Sequence, residues 1–278
     1  MNKAKIKLQF TGGYYLQFDQ ISRILQYSLE QNTRKKISRQ EILEALGMTE
    51  RQFENLSSMS VGLGIIKPRI FILTPLGKII AQKDVFFDNV DTLWIIHYIV
   101  SSEAKWVVWN RLVNNIFAGN ITINIKIALP YYSDLSENFM EKSMKTKLPK
   151  EIASVLDAYG ERRFKRLHIL EKISSGEYVR SKVVQINPLP FLYCLLHFRD
   201  EYFSGSTGLA IKDIMQTVNS PGKVFYLQKY KINGLLNKLH DMGLIRIEKF
   251  GDLNQIRFAE GLTKNSVIQK IYSDEECV

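Results

Sequence analysis

Cysteine is nearly missing from this chain. Two occur, Cys194 in an apolar run and Cys277 near the C-terminal end, so neither a disulfide framework nor a cysteine-based zinc site can be assembled. Long hydrophobic runs are missing too. The most apolar stretches, "TLWIIHYIV" and "PLPFLYCLLHF", reach about half of the ~20 residues a bilayer span needs. The basic opening "MNKAKIKLQF" has no apolar core behind it, so no signal peptide and no membrane association are expected, and the expected location is cytoplasmic. Histidine is sparse: His97, His168, His197 and His240 are scattered without metal-ligand spacing. A phosphate-cradling glycine loop, a nucleophile elbow and a dinucleotide fingerprint are all absent, which removes the enzyme classes such motifs define.

Positive charge is what the chain has. Its formal charge is +10 and its pI about 9.4, a balance that favours a polyanionic partner, DNA first. Residues 1–88 carry +5 and residues 141–200 carry +5, whereas residues 89–140 carry −1 and hold all three tryptophans. That near-neutral segment reads as core between basic flanks. The 278 residues suffice for two domains or one large one.

Spacing predicts a mainly α protein with small β-hairpins, an α+β class. A helix is expected near Phe18–Glu30, followed by the basic loop "NTRKK". In "SRQEILEALG" Ser38 and Glu41 form a capping box, Gly47 ends the helix, and Thr49 with Gln52 repeats the box for the next one. Strands at Ile65–Ile66 and Ile70–Leu73 follow, then a helix capped by Thr74 with Pro75 at its first position. A helix-turn-helix followed by a hairpin makes a winged helix. The pattern recurs at 206–259: "LAIKDIMQTV", the turn "NSPGK", a recognition helix over Val224–Met242 and a wing over Leu244–Phe258, where a helical period changes to an alternating one at Gly243. The expected domains are an N-terminal winged helix (1–83), a helical middle region with a basic patch (84–200) and a C-terminal winged helix (201–278). In the middle, Asp91 and Ser102 are expected N-caps, "NITINIKIAL" a strand, the segment after it loop-rich with one short helix, and 150–173 a helix broken near Gly160 and then a basic stretch.

For DNA contact the C-terminal module offers Tyr226, Lys229, Lys231, Asn233, Asn237 and Lys238 on its helix, and Arg246, Lys249 and Arg257 on its wing. Lysines would neutralise phosphates, and asparagines would read base edges. A solvated face in a module that joins proteins is the plain alternative. The N-terminal module reads more weakly, because Glu50 and Glu54 sit on its second helix and its basic groups (Arg34, Lys35, Lys36, Arg39, Lys67, Arg69) lie beside it. Arg162, Arg163, Lys165 and Arg166, with Lys142, Lys145, Lys147 and Lys150 upstream, form the densest basic cluster. It is either a backbone-tracking patch or a helix face paired with Glu161 and Glu171. Asp91, Glu103 and Lys105 match a nuclease-like D-x11-E-x-K spacing, yet fall on predicted helices rather than a hairpin, so chance explains them better.

"DNVDTLWIIHYIVSSEAKWVVWNRLVNN", preceded by "LTPLGKIIA" and followed by "LHILEK" and "PLPFLYCLLHF", resembles a bacterial family defined only as a domain of unknown function. Members usually open with a His-containing, arginine-rich start, which "FTGGYYLQF" lacks. The resemblance implies an association with sulfur-transfer enzymes, a cysteine desulfurase and a PAPS-reductase-like enzyme, that install phosphorothioates in DNA as an antiphage defence. One branch is regarded as the DNA-nicking subunit of single-stranded phosphorothioation systems. What it implies here is a double-stranded-DNA-binding component, with Mg²⁺ or Mn²⁺ as cofactor if it nicks. The matched polar positions Asp91, His97, Asn110 and Asn114 are the catalytic candidates. A winged-helix transcriptional regulator without catalysis, binding as a homodimer, and a protein-binding scaffold are the rival readings.

Overall fold

The structure, a computed structural model, describes residues 6–31, 38–68, 71–119, 122–181, 185–250 and 253–273. The protein is mainly helical with two small antiparallel sheets. It divides into two compact units, residues 1–183 and 184–278. No described helix is long and apolar enough to cross a membrane.

In the first unit, α1 (Phe18–Glu30) buries Ile21, Ile24 and Leu25, and packs against α3 (Glu50–Gly62) and α4 (Pro75–Lys83). Both capping boxes form as spaced. The Ser38 hydroxyl accepts from Glu41 N–H ahead of α2 (Arg39–Leu46), and the Thr49 hydroxyl accepts from Gln52 N–H ahead of α3. Gly47 closes α2 in the left-handed conformation. The hairpin expected next is one bridge, Ile66 to Leu73, closed by Lys67 N–H to Ile72 O at 2.9 Å. Ile70, Arg69 and the basic loop "NTRKK" lie outside the described residues.

Helix α5 (Val90–Ser102) is apolar on nearly every side and fully enclosed. Its cap is Asn89, whose side chain accepts from Asp91 N–H, so the expected cap at Asp91 moves by two residues. Ser102 ends α5 rather than capping its successor, because α6 (Val107–Arg111) begins only after Trp106. From α6 the chain passes through a π-helical turn, Leu112–Ile116, into α7 (Phe117–Gly119).

Among the described residues of the strand expected at 120–129, Thr122–Ile123 form β1, and the Asn124 side chain then accepts from Ile127 N–H and starts the helix α8 (Ile125–Ala128). The segment expected to be loop-rich is a 3₁₀ helix (Leu129–Glu137) followed by α9 (Glu141–Thr146). Helix α10 (Leu148–Gly160) ends at the anticipated glycine, and the basic run after it is a 3₁₀ turn, Arg163–Leu167. A hairpin that was not anticipated then follows, β2 (Leu170–Ser174) and β3 (Glu177–Arg180), with β3 also pairing β1.

The second unit begins with α11 (Pro188–Tyr202), an apolar helix. Then come β4 (Gly208–Ala210), α12 (Ile211–Gln216), α13 (Pro221–Val224), α14 (Lys229–Asp241), β5 (Ile245–Phe250), β6 (Leu253–Phe258) and α15 (Lys264–Ser273). The sheet order is β4-β6-β5, all antiparallel. Its core joins Phe191, Phe198, Phe225, Ile232, Leu236, Leu239 and Ile256.

Candidate nucleic-acid interface

Helix α14 turns its Ile232, Leu235, Leu236 and Leu239 inward. Helical spacing therefore leaves Lys229, Asn233, Asn237 and Lys238 exposed, with Lys231 half-buried. The helix starts five residues later than its sequence suggests. Leu227 N–H bonds Gly222 O and Tyr226 takes a left-handed φ of 54°, closing α13 first. Tyr226 thus stands off the α14 face. Tyr230, one residue into the helix and 66% exposed, is the aromatic side chain there, and periodicity counted from Leu235 would have found it.

Gly243 makes the change from helix to ribbon. Its φ is +70°, its N–H bonds His240 O at 2.8 Å and Leu244 N–H bonds Leu239 O at 3.0 Å, a left-handed close that few other residues adopt cheaply. The β5–β6 register then sorts the wing side chains by face. Lys249 pairs with Asn254, and both line a cleft of about 440 Å³ with Asn233 and Asn237, floored by Ile211, Leu236 and Ile247. Asn254 was not anticipated. Arg246 pairs with Arg257 on the opposite face, because strand side chains alternate. There Arg257 is held by Glu248 (Nε to Oε1, 2.7 Å) and by the Thr207 hydroxyl (3.0 Å). Gln255 also donates to Glu248 at 2.7 Å, and these hydrogen bonds, Arg257's first, hold the Glu248 carboxyl below its usual range. The expected contact set therefore divides. Lys249 joins the helix residues, while Arg246 and Arg257 face away.

The basic cluster of the first unit has different surroundings. Arg162 donates to Asp157 at 2.6 Å and lies 4.1 Å over the Tyr15 ring. Arg163 bonds Asp88 at 2.9 Å and reaches Asp19 at 3.6 Å, with Arg166 at 3.9 Å from Asp88. Lys165 is exposed. The expected partners Glu161 and Glu171 are not the ones used, for Glu161 pairs with Lys172 at 2.8 Å.

Of the four catalytic candidates, His97 and Asn114 are buried in the first unit, and Asp91 and Asn110 are half-buried. His97 is 0% exposed, its Nδ1 2.6 Å from the Tyr159 hydroxyl and 3.2 Å from the Ser101 hydroxyl. Trp109 Nε1–H donates to the same tyrosine oxygen at 3.0 Å. Burial pushes the Tyr159 phenol well above its ordinary pKa, so it stays neutral. Asn110 and Asn114 both donate to Ser101 O, at 2.8 and 3.1 Å, satisfying a carbonyl at the C-terminal end of α5. Asp91 lies in the first turn of α5, about 9 Å along the axis and ~120° around it from His97. His97, Asn110 and Asn114 are thus brought together around Ser101, His97 and Asn114 buried and Asn110 half-buried, and Asp91 is not. Asp91 and Glu103 stand at opposite ends of α5, ~18 Å apart along it, so the nuclease-like spacing assembles no site.

One buried carboxylate escaped the sequence. Glu151 is 0% exposed, and its Oε1 accepts Phe10 N–H (2.8 Å) and Thr11 N–H (3.0 Å) while Oε2 accepts the Thr11 hydroxyl (2.9 Å). It ties the "FTGG" turn to α10. Burial raises its pKa against the opposing hydrogen bonds. Among the described residues no three His, Cys, Asp or Glu side chains converge as a metal site would require.

The chain is thus a basic, mainly helical α+β protein that presents a lysine- and asparagine-bearing helix beside a β-ribbon. The chain itself belongs to the family described as "Protein of unknown function (DUF4007)", whose model matches residues 43–272. Its fold is shared with a magnesium-ion-bound crystal structure of SspB, at a TM-score of 0.73 and 11% identity over 99% of this chain and 90% of that one. A second SspB crystal structure gives 0.73 and 10%, over 99% and 91%. No curated protein matches by sequence.

Proposed function

We propose that the protein binds duplex DNA through α14 and its ribbon, as the DNA-binding component of a bacterial phosphorothioation defence system. The observation that carries the DNA reading is the cleft in which Asn233, Asn237, Lys249 and Asn254 converge beside the exposed Lys229 and Lys238. Lysines at its margin would neutralise phosphates, and amides within it would reach base edges. The order α11-β4-α12-α14-β5-β6 with sheet order β4-β6-β5 supports a winged helix with α14 as its recognition helix. Family membership and the fold shared with SspB support the place in sulfur modification, with sulfur-transfer enzymes as partners. Strand nicking rests on the family resemblance. SspB binds magnesium in one of its crystal structures, but the described residues here supply no fitting ligand cluster, and no cleavage step is routed through a metal.

Two measurements test this. Duplex affinity by fluorescence anisotropy is expected to fall steeply as salt rises, because each neutralised phosphate releases counterion; an affinity independent of salt sinks the phosphate contacts. Supercoiled plasmid incubated with Mg²⁺ or Mn²⁺, and with EDTA, tests the nicking that the family resemblance implies: open circles formed only with metal would support it and would call for ligands other than a cluster of the described residues. Tight, sequence-selective binding with no nicked product would instead identify a regulator.

A further inference from the structure

The first unit holds a second recess, of about 230 Å³, between α1, α3 and the turn ahead of α1. It is smaller than the ~300–1,000 Å³ of pockets for drug-sized molecules. Its floor is apolar: Met48, Leu56 and Met59, all buried. Amides make its walls, and in two of them, Gln20 and Gln52, the oxygen is already engaged. Gln52 Oε1 accepts both the N–H and the hydroxyl of Thr49 at 2.9 Å, so its Nε2 is the group left to turn to the recess. Gln20 Oε1 accepts from Arg23 Nη1 at 3.0 Å, which leaves Gln20 Nε2 in the same position. Arg23, itself only a donor, already spends Nη2 on Leu46 O at 2.7 Å.

Tyr14 forms the lip. Its ring is 40% exposed and 5.7 Å from the Arg51 guanidinium, and its carbonyl accepts from the Ser154 hydroxyl at 2.6 Å. The turn that carries it lies close to α3. A Cβ on Gly12, where φ is +67°, would stand 2.4 Å from Asn55 Oδ1. The backbone that carries the ring is therefore held in place.

A planar aromatic lip, amide N–H donors and an apolar floor suit a neutral flat heterocycle with paired acceptors. They suit a phosphate poorly, since the one cation lining the recess is already engaged. We propose that the recess receives an unstacked nucleobase, and guanine first, whose O6 and N7 present two adjacent acceptors. Tyr14 stacks on the base, and the Gln20 and Gln52 amides hydrogen-bond its edge. That the base comes from a DNA strand rests on the DNA reading above; the chemistry of the recess does not.

The test uses the full chain and 2′-deoxyguanosine, with binding followed by saturation-transfer NMR. Deoxyguanosine is expected to bind, and deoxyadenosine about fivefold more weakly or worse because it offers a donor beside its acceptor. Tyr14→Ala should weaken binding about tenfold through lost stacking. Gln52→Glu and Gln20→Glu keep the oxygen that Thr49 or Arg23 requires, so both should fold normally by circular dichroism while losing deoxyguanosine. No binding to the wild type, equal binding of the two nucleosides, or unaltered binding to folded Glu variants overturns the proposal. A protein that binds duplex DNA but no deoxyguanosine would refute the recess alone. One that binds deoxyguanosine but no duplex would refute the C-terminal DNA reading and leave the recess standing.

Discussion

Two basic clusters of this protein look alike as sequence and differ as surfaces. Arg162, Arg163 and Arg166 meet Asp157, Asp88 and Asp19, so their charge is largely answered within the fold. Lys229, Lys238 and Lys249 are exposed, and among the described residues no carboxylate pairs with them. A guanidinium already bidentate or bridging has little left to offer a phosphate, whereas a free ammonium has all three donors. Density of positive charge along a chain is therefore a poor guide to where a polyanion docks.

The largest expected effect breaks this comparison outright. Exchanging Lys229, Lys231 and Lys238 for glutamate removes three cations and adds three anions along α14. Duplex affinity at physiological salt should fall at least ~100-fold in a gel-shift assay, with a shallower salt dependence. The same reversal at Arg162, Arg163 and Arg166 should change affinity by no more than ~threefold while lowering the melting temperature, because Asp88 and Asp157 lose their partners. Equal losses of affinity would show that the ion-paired cluster opens to bind DNA.

The two units also carry buried titratable groups of opposite sign. In the second, burial, with Lys264 adding to it, holds the His197 imidazole down to about 4. Its unfolded value is higher, near 6.5, so the unfolded chain takes up the proton first and stability is lost as pH falls from 6.5 toward 4. The loss amounts to at most ~3 kcal/mol. In the first unit Glu151 has a raised folded pKa, so its carboxyl is protonated first in the folded state, and this site adds stability as pH falls toward its unfolded value of 4.5. His197→Gln should flatten the acid-side decline in melting temperature, and Glu151→Gln should steepen it. Parallel profiles for the wild type and His197→Gln would show that the imidazole is hydrated.

A smaller effect, ~1–3 kcal/mol, is expected for Tyr159→Phe. The change deletes the oxygen shared by His97 and Trp109 without opening a cavity. Urea unfolding followed by tryptophan fluorescence reports it directly, since all three tryptophans lie in this unit. If the midpoint did not move, the buried network would contribute nothing to stability, and its polar groups would need another reason to be there.

What the sequence revealed was local. Ser38 with Glu41, Thr49 with Gln52, and the glycine at 243 each announce a structure made within a few residues. What it hid was distant or weakly patterned. Arg163 finds Asp88 across 75 positions, and Glu151 finds Phe10 across 141, so neither pairing leaves a trace in spacing. The β2–β3 hairpin escaped because β2 buries only Leu170, leaving no alternation to read. Around Asn124 the alternation was present and misleading, since one side-chain cap converted an apparent strand into a helix. For the candidate site, the helix face was legible, but the division of the wing into two faces needed the register of β5 on β6.

That division supplies the finest comparison, within a single ribbon. Lys249 lines the cleft, whereas Arg257 on the other face is bound to Glu248 and Thr207. Lys249→Gln removes one free cation beside the amides. It should weaken duplex binding about threefold to tenfold and reduce the slope of log affinity against log salt by about one. Arg257→Gln removes a cation whose charge Glu248 already neutralises at the surface. Its duplex affinity should stay within about twofold of the wild type, and the salt slope should not change. If Arg257→Gln flattened the slope as Lys249→Gln does, the phosphate backbone would have to run along the outer face of the ribbon, away from Asn233 and Asn237, and base reading by those asparagines would lose its geometric support.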